Sequence, residues 1–275
     1  MKNFQRGDYE VYITDYQRTD YILYLAILFV VIILVIGRIK GLKAIISLTL
    51  TMGAVFYIFL PQVLNGADPI PISILISIGV TIATIFIVSG VNTKSVAAII
   101  GTSSGVIIAG LMAYFVGSKI HLTGLSAEEA TMLMYLPQGI EFDFKSLLFA
   151  GIILGSLGAV MDVGMSIASS IEEIYNANSS LSRKELFNSG MNVGKDVMGT
   201  MTNTLILAYT GSSIPLLLLF MGYDAGLIEV MNLDIIATEV VRSLSGSIGL
   251  ILTIPITAFI ATDLIQNKSN KKQEG

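Results

Sequence analysis

Seven apolar runs, each close to the twenty or so residues that carry a helix across hydrocarbon, govern what this chain can fold into. They lie near Tyr21–Gly37, Ala44–Leu64, Ile70–Val91, Ser95–Val116, Leu147–Ile171, Val197–Met221 and Ser243–Leu264. Inside lipid every backbone amide must be satisfied within its own segment, so runs of this length become helices. The expected fold class is all-α: an integral membrane bundle of seven transmembrane helices over residues 21–264, with polar tails at 1–20 and 265–275. With 53% hydrophobic and only 13% charged residues, the chain has too much apolar surface for one soluble core.

The basic residues set the expected orientation. RIKGLK, the NTK connection, the loop and helix start bearing Arg183, Lys184 and Lys195, and the NKSNKK tail hold ten of the sixteen Lys and Arg. By the positive-inside rule these segments are cytoplasmic, which puts the C-terminus inside and the N-terminus outside. Tyr21, Tyr24, Phe56, Tyr57, Phe59, Tyr114, Phe115, Phe220 and Tyr223 fall at the ends assigned to the outer face, as an aromatic belt requires. The first twenty residues are polar and lack the short apolar core and cleavage site of a signal peptide, so the first run reads as a retained span. YEVYIT alternates like a strand, but six residues make no sheet alone, and a flexible tail is expected there.

Three connections carry helix signals. Ser126 and Glu129 in SAEEATMLMYLP have capping-box spacing, predicting a short interfacial helix ended by Pro137. Ser182 and Glu185 repeat the pattern ahead of the sixth span, and LIEVMNLDIIATEVVRS predicts an amphipathic approach to the seventh. Pro215 and Pro255 are expected to interrupt the last two spans, with GSSIP from Gly211 as a break. No inverted repeat of the kind found in many transporters is visible.

The fifth run contains GIILGSLGAVMDVGMSIASSIEEI, Gly151 to Ile174, with Asp162 near its middle. On a helix, Gly151, Gly155, Gly158, Asp162, Ser166, Ser169 and Glu173 share one face, all within about 40° of Asp162. Ile153, Leu157, Val160, Ile167 and Ile171 cover the other side, the one expected to meet lipid. Eleven Leu, Ile, Phe and Val at roughly −0.5 kcal/mol each outweigh roughly +3 kcal/mol for a central Asp, so the helix inserts with Asp162 expected to turn inward. In the sixth run Asp196, Thr200, Asn203 and Thr210 share a face, and Asn203 falls at a depth near that of Asp162 if the two helices are antiparallel. Close helix packing accounts for the glycines. For Asp162 with Ser166, Ser169, Asp196, Thr200 and Asn203, the sharper reading is a cation, proton or polar-solute site. Glu239 and Arg242, at i and i+3, read as a structural ion pair.

Several chemistries are excluded or disfavoured. The chain has no cysteine and one histidine, so thiolate chemistry and a multi-His metal site within one chain are ruled out. GTSSG, Gly101 to Gly105, matches G-x-S-x-G, but that motif needs a strand-to-helix turn with a histidine and an acid, and His121 lies about 27 Å along a continuous helix. GMNVGKD at Gly190 is one residue short of a phosphate loop and ends on Asp196 where Ser or Thr should hold magnesium. No nucleotide site, nucleic-acid partner, cofactor or enzymatic activity is expected.

Five stretches carry a family resemblance: GRIKGLKAIISL from Gly37, HLTGLSAEEA from His121, GSLGAVMDVGMSIASSIEEI from Gly155, SRKELFNSGMNVGKDVMGTMTNTLILAYTGSSIPLLLL from Ser182, and EVVRSLSGSIGLILTIPITA from Glu239. Through them the chain resembles the YibE/F-like family of multi-pass membrane proteins, from the first span to the seventh. The resemblance implies the bacterial cytoplasmic membrane and a permease rather than a defined reaction. It also implies longer relatives with an extra span and external domain ahead of this region, of which YEVYIT would be a remnant.

The function expected is therefore a transporter or permease component that moves a small solute or ion through a carboxylate site between the fifth, sixth and seventh spans. The alternative is a non-transporting membrane subunit or scaffold that binds a partner protein or lipid. Beyond the bilayer, the expected partners are another membrane protein or further copies of the chain.

Overall fold

The apolar runs do become helices. The computed structural model of the chain describes residues 4–5, 10–11, 16–135, 142–222 and 226–273. Its helices are α1 (Thr19–Ala54), continued by a π-helical turn at Val55–Phe59 into α2 (Leu60–Leu64), then α3 (Pro69–Ser89), α4 (Thr93–Lys119), α5 (Glu128–Leu133), α6 (Phe144–Ala177), α7 (Arg183–Ser212), α8 (Ile214–Gly222), α9 (Leu227–Met231) and α10 (Asp234–Gln273). Among the described residues five stretches are long and apolar enough to cross a membrane: Thr19–Leu64, Pro69–Ser89, Thr93–Lys119, Phe144–Ala177 and Asp234–Lys268. A sixth arises if α7 and α8, bent by 59° at their junction, count as one. Several helices of this length and hydropathy suggest a membrane protein.

Residues 1–48 form one compact unit and residues 49–275 another. In the first, Phe4–Gln5 (β1) pairs antiparallel with Glu10–Val11 (β2), and the rest of the YEVYIT stretch lies outside the described residues. The first two expected spans are joined in α1, whose backbone departs from helical geometry at Arg38, φ 47° and ψ −124°. In a straight helix Ile33 and Gly41 would lie about 12 Å apart. Here a Cβ on Gly41 would land on the Ile33 carbonyl oxygen and 3.1 Å from its Cγ2. The chain turns back sharply at RIKG, and only a glycine fits the inside of the turn.

In the second unit α6 packs against α3, α4, α7 and α10. Ile153, Val160, Val163, Ile167 and Ile171 of α6 are fully buried with Val106 of α4, Leu186 of α7 and Leu250 of α10. α4 and α10 approach backbone to backbone: a Cβ on Gly249 would sit 2.5 Å from the Gly105 carbonyl oxygen. Two hydroxyls buried in this core turn back on their own helices, Thr253 donating to the Gly249 carbonyl at 2.8 Å and Thr81 to that of Ser77 at 2.7 Å.

Polar contacts tie the ends of the bundle. At one end Lys94 meets Glu172 at 2.7 Å, Arg183 meets Asp263 at 2.8 Å, and Gln266 donates to the Leu181 carbonyl at 3.0 Å. At the other, the Thr123 hydroxyl donates to Asp234 at 2.6 Å. The Ser182–Glu185 capping box forms as its spacing predicts. The Ser126 box does not. α5 starts after an uncapped Ala127, and the Ser126 hydroxyl donates instead to Thr238 at 3.3 Å, a tertiary contact that displaces the local one. Pro137 lies outside the described residues. The break expected at GSSIP occurs at Ser213, but Pro255 sits inside a continuous α10 and does not interrupt it.

Asp143 caps α6, its carboxylate accepting from the Ser146 hydroxyl at 2.6 Å and the Ser146 amide at 3.1 Å. The Ser146 hydroxyl contact is the main reason its carboxyl titrates below the usual range, against an opposing effect of burial. Stability from this cap is present above the ordinary carboxylate pKa and lost as pH falls through the lowered folded value. Asp143→Ala should cost about 1 kcal/mol and remove that acid-side loss, read from melting in detergent as a function of pH.

Candidate functional site

The small and polar stripe of α6 forms as its periodicity predicts, but it points the other way. Ile153, Leu157, Val160, Ile167 and Ile171, expected to meet lipid, are the residues that fill the core. Gly151, Gly155, Gly158, Asp162 and Glu173 are exposed, with Ser166 and Ser169 half-buried beside them. Asp162 therefore does not face the interior of its own bundle. The physical reason is α6's central position: with neighbours on four helices, its bulky ridge supplies the core and its small residues are left at the rim.

Helix α7 repeats the arrangement. Leu186, Gly190, Gly194 and Leu205 are buried, while Asp196, Thr200, Asn203 and Thr210 are exposed. The glycines let α7 press onto its neighbours. A Cβ on Gly190 would lie 2.6 Å from Ile171 Cδ1, one on Gly194 would strike Ile254 and lie 3.5 Å from Ile167 Cδ1, and one on Gly155 would lie 3.0 Å from the Tyr209 hydroxyl. These contacts fix an antiparallel register that sets Asp162 level with Thr200, Ser166 with Asp196 and Asn203 with Ala159, to within about a residue. The expected match in depth between Asp162 and Asn203 holds to about one turn. No hydrogen bond or ion pair joins them among the described residues; the Thr200 hydroxyl donates to the Val197 carbonyl at 3.1 Å.

Three other long helices of this unit give the comparison that matters. α3 buries Ser73, Ser77, Thr81 and Thr84 and exposes Leu75, Ile82 and Val88. α10 buries Ser243, Ser245, Ser247, Thr253 and Thr257 and exposes Val240, Leu244, Ile248, Leu252 and Phe259. α4 likewise exposes Val96, Ile100, Leu111 and Phe115. That is the pattern lipid imposes, polar groups in and apolar groups out. On α6 from Phe144 to Asn176, and on α7 from Arg183 to Thr204, every exposed residue is glycine or polar. Those two faces are the reverse of the pattern that lipid imposes on the other three helices.

A second polar group lies where α7 bends. Arg242 reaches Glu239 at 3.5 Å, and its guanidinium lies 6.0 Å from the ring centre of Tyr209. Glu239 Oε2 and Arg242 Nε are buried atoms without a hydrogen-bond partner. Beside them is a cleft of about 250 Å³, largely apolar, with Tyr209, Ser213, Glu239 and Ser243 on its walls. The sequence reading missed Tyr209. Its signal was a phenol on a helix otherwise furnished with small polar residues, one turn before a glycine-serine break.

The tempting motifs lie inside regular helix. GTSSG is in mid-α4, with no strand-to-helix turn to lift Ser103, and GMNVGKD is in mid-α7 with its amides committed to the helix. Among the described residues no three His, Cys, Asp or Glu side chains gather as a metal site would need. A family model described as YibE/F-like protein matches residues 25–267, nearly the whole chain. No curated protein and no solved structure matches it.

Proposed function

The chain belongs to the YibE/F-like family, and from that premise we propose that it is a subunit of a membrane permease whose polar pathway runs along the exposed α6–α7 face rather than through the middle of one bundle. The observation that carries this reading is the reversal of α6 and α7 relative to α3, α4 and α10. A carboxylate some 15 Å from either membrane surface is stable only against water, a counter-charge or a hydrogen-bond donor. Asp162 is then the charge that holds a cation or exchanges a proton, with Thr200 and Asn203 at neighbouring depths and Ser166, Ser169 and Asp196 nearer the basic end. The solute is a small ion or polar molecule.

The topology that goes with this function has seven spans. The backward turn at Arg38 supports counting α1 with α2 as two crossings, and α7 with α8 supplies one more. With the Lys94, Arg183 and Lys268 end in the cytoplasm, the N-terminus is external. The membrane is the bacterial cytoplasmic membrane.

Flux of protons and small cations into vesicles reconstituted with the purified chain tests the proposal. Asp162→Asn keeps the size of the side chain and removes its charge, and should lower flux by about tenfold or more at unchanged reconstitution. Equal flux removes Asp162 from the mechanism. No flux from the parent chain in any gradient leaves the reading of a non-transporting subunit, whose polar face serves only to hold a partner.

A further inference from the structure

We infer that the α6–α7 face is closed by a second copy of the same chain, related by a two-fold axis along the membrane normal. The inference rests on the reading that protein, not lipid, covers this face. Whatever covers it must bring polar groups to mid-membrane depth.

The face is complementary to itself. Lys195 and Asp196 are consecutive, so they lie within about 1.5 Å of one another in depth. Both are exposed, they are opposite in sign, and neither has an ion-pair or hydrogen-bond partner among the described residues. A two-fold axis along the membrane normal preserves depth, so Lys195 of one copy meets Asp196 of the other and the same contact forms again by symmetry. An axis in the membrane plane would turn one copy upside down, setting the basic end of one chain against the opposite end of the other and breaking the common orientation that the basic residues impose. One turn further into the membrane Gly199 has no atom within 4 Å of a built Cβ, and neither do Gly151 and Gly158 of α6. Those gaps let two helix pairs approach closely, as small residues do at membrane interfaces. Asp162 and Asn203 then lie between the two copies, screened from lipid.

The chain has no cysteine, so one introduced thiol reports on one position of the full-length protein in native membranes. Oxidation should convert Gly199→Cys to a species of twice the chain mass, at least about tenfold more than Ile248→Cys on the lipid-facing side of α10. Gly158→Cys should behave like Gly199→Cys. In lipid nanodiscs the unmodified chain should weigh as two copies. Lys195→Asp and Asp196→Lys should each weaken the pair by about thirtyfold or more, and the double exchange should restore it, because both cross-contacts then re-form with their signs swapped. Single copies in nanodiscs, no cross-link above the Ile248→Cys background, or cross-linking to a different protein would overturn the inference. Flux from a chain shown to be single removes the second copy and leaves the pathway; a paired chain with no flux does the reverse.

Discussion

Gly249→Val leaves little folded protein after extraction into mild detergent, and what survives melts well below the parent. A Cβ at this position would sit 2.5 Å from the Gly105 carbonyl oxygen, 2.7 Å from the Ala109 Cβ and 3.2 Å from the Ala109 amide nitrogen. Two of these three atoms are backbone, so no rotamer change relieves the clash. Either α10 moves off α4 or the interface opens. Overpacking of a core typically costs about 1–3 kcal/mol, and the upper end or beyond applies where backbone must shift. Membrane helices depend more than soluble ones on such packing, since lipid is as apolar as the residues it would replace. Gly79→Val is the control: Gly79 is exposed on α3 and has no atom within 4 Å of a built Cβ. Fluorescence-detected gel filtration after heating should show the parent profile for Gly79→Val and aggregate for Gly249→Val. Equal profiles would mean that the α4–α10 contact does not govern stability.

Four of the spans, the α7 cap and the bend after it could be read from the sequence because each rests on local chemistry. Run length gave α3, α4, α6 and α10, the Ser182 and Glu185 spacing gave the α7 cap, and Gly211 to Pro215 gave the bend at Ser213. The direction in which a stripe faces does not rest on local chemistry. In a soluble protein the apolar side of a helix points inward, whereas in a bilayer both the core and the surroundings are apolar, and a hydrophobic ridge fits either. The face bearing Ile153, Val160 and Ile167 was assigned to lipid and the structure puts it in the core, because only the position of α6 among its four neighbours decides the matter. Ser126 shows the same limit on a smaller scale. Its capping partner was three residues away, but its actual partner, Thr238, is over a hundred residues off in sequence. The candidate residues themselves, Asp162, Asp196, Thr200 and Asn203, were legible as unusual groups at related depths. What sequence could not supply was that they share an outer face.

Arg242→Met, made alone, destabilises the bundle by about 1–3 kcal/mol, and so does Glu239→Met, yet the chain carrying both changes returns to within about 1 kcal/mol of the parent. The pair is partly buried, with side chains 34% and 24% exposed, and one oxygen of Glu239 and one nitrogen of Arg242 are fully covered without partners. Removing one member strands the other's charge in a poorly solvated place. Removing both strands nothing, and methionine replaces most of the lost volume. Arg242 also lies over the ring of Tyr209, so its single loss exceeds that of Glu239 by the cation–π contribution, about 0.5–1 kcal/mol. Thermal unfolding of the three variants in one detergent measures the cycle directly. The double variant separates structure from transport as well. If the pair only holds α10 against α7, the double variant keeps the parent's flux; if the cleft at Tyr209 is an outer mouth of the pathway, it folds normally and its flux falls. A double variant as unstable as either single would mean that each group has a partner other than the other, and the ion-pair reading of Glu239 and Arg242 would then be abandoned.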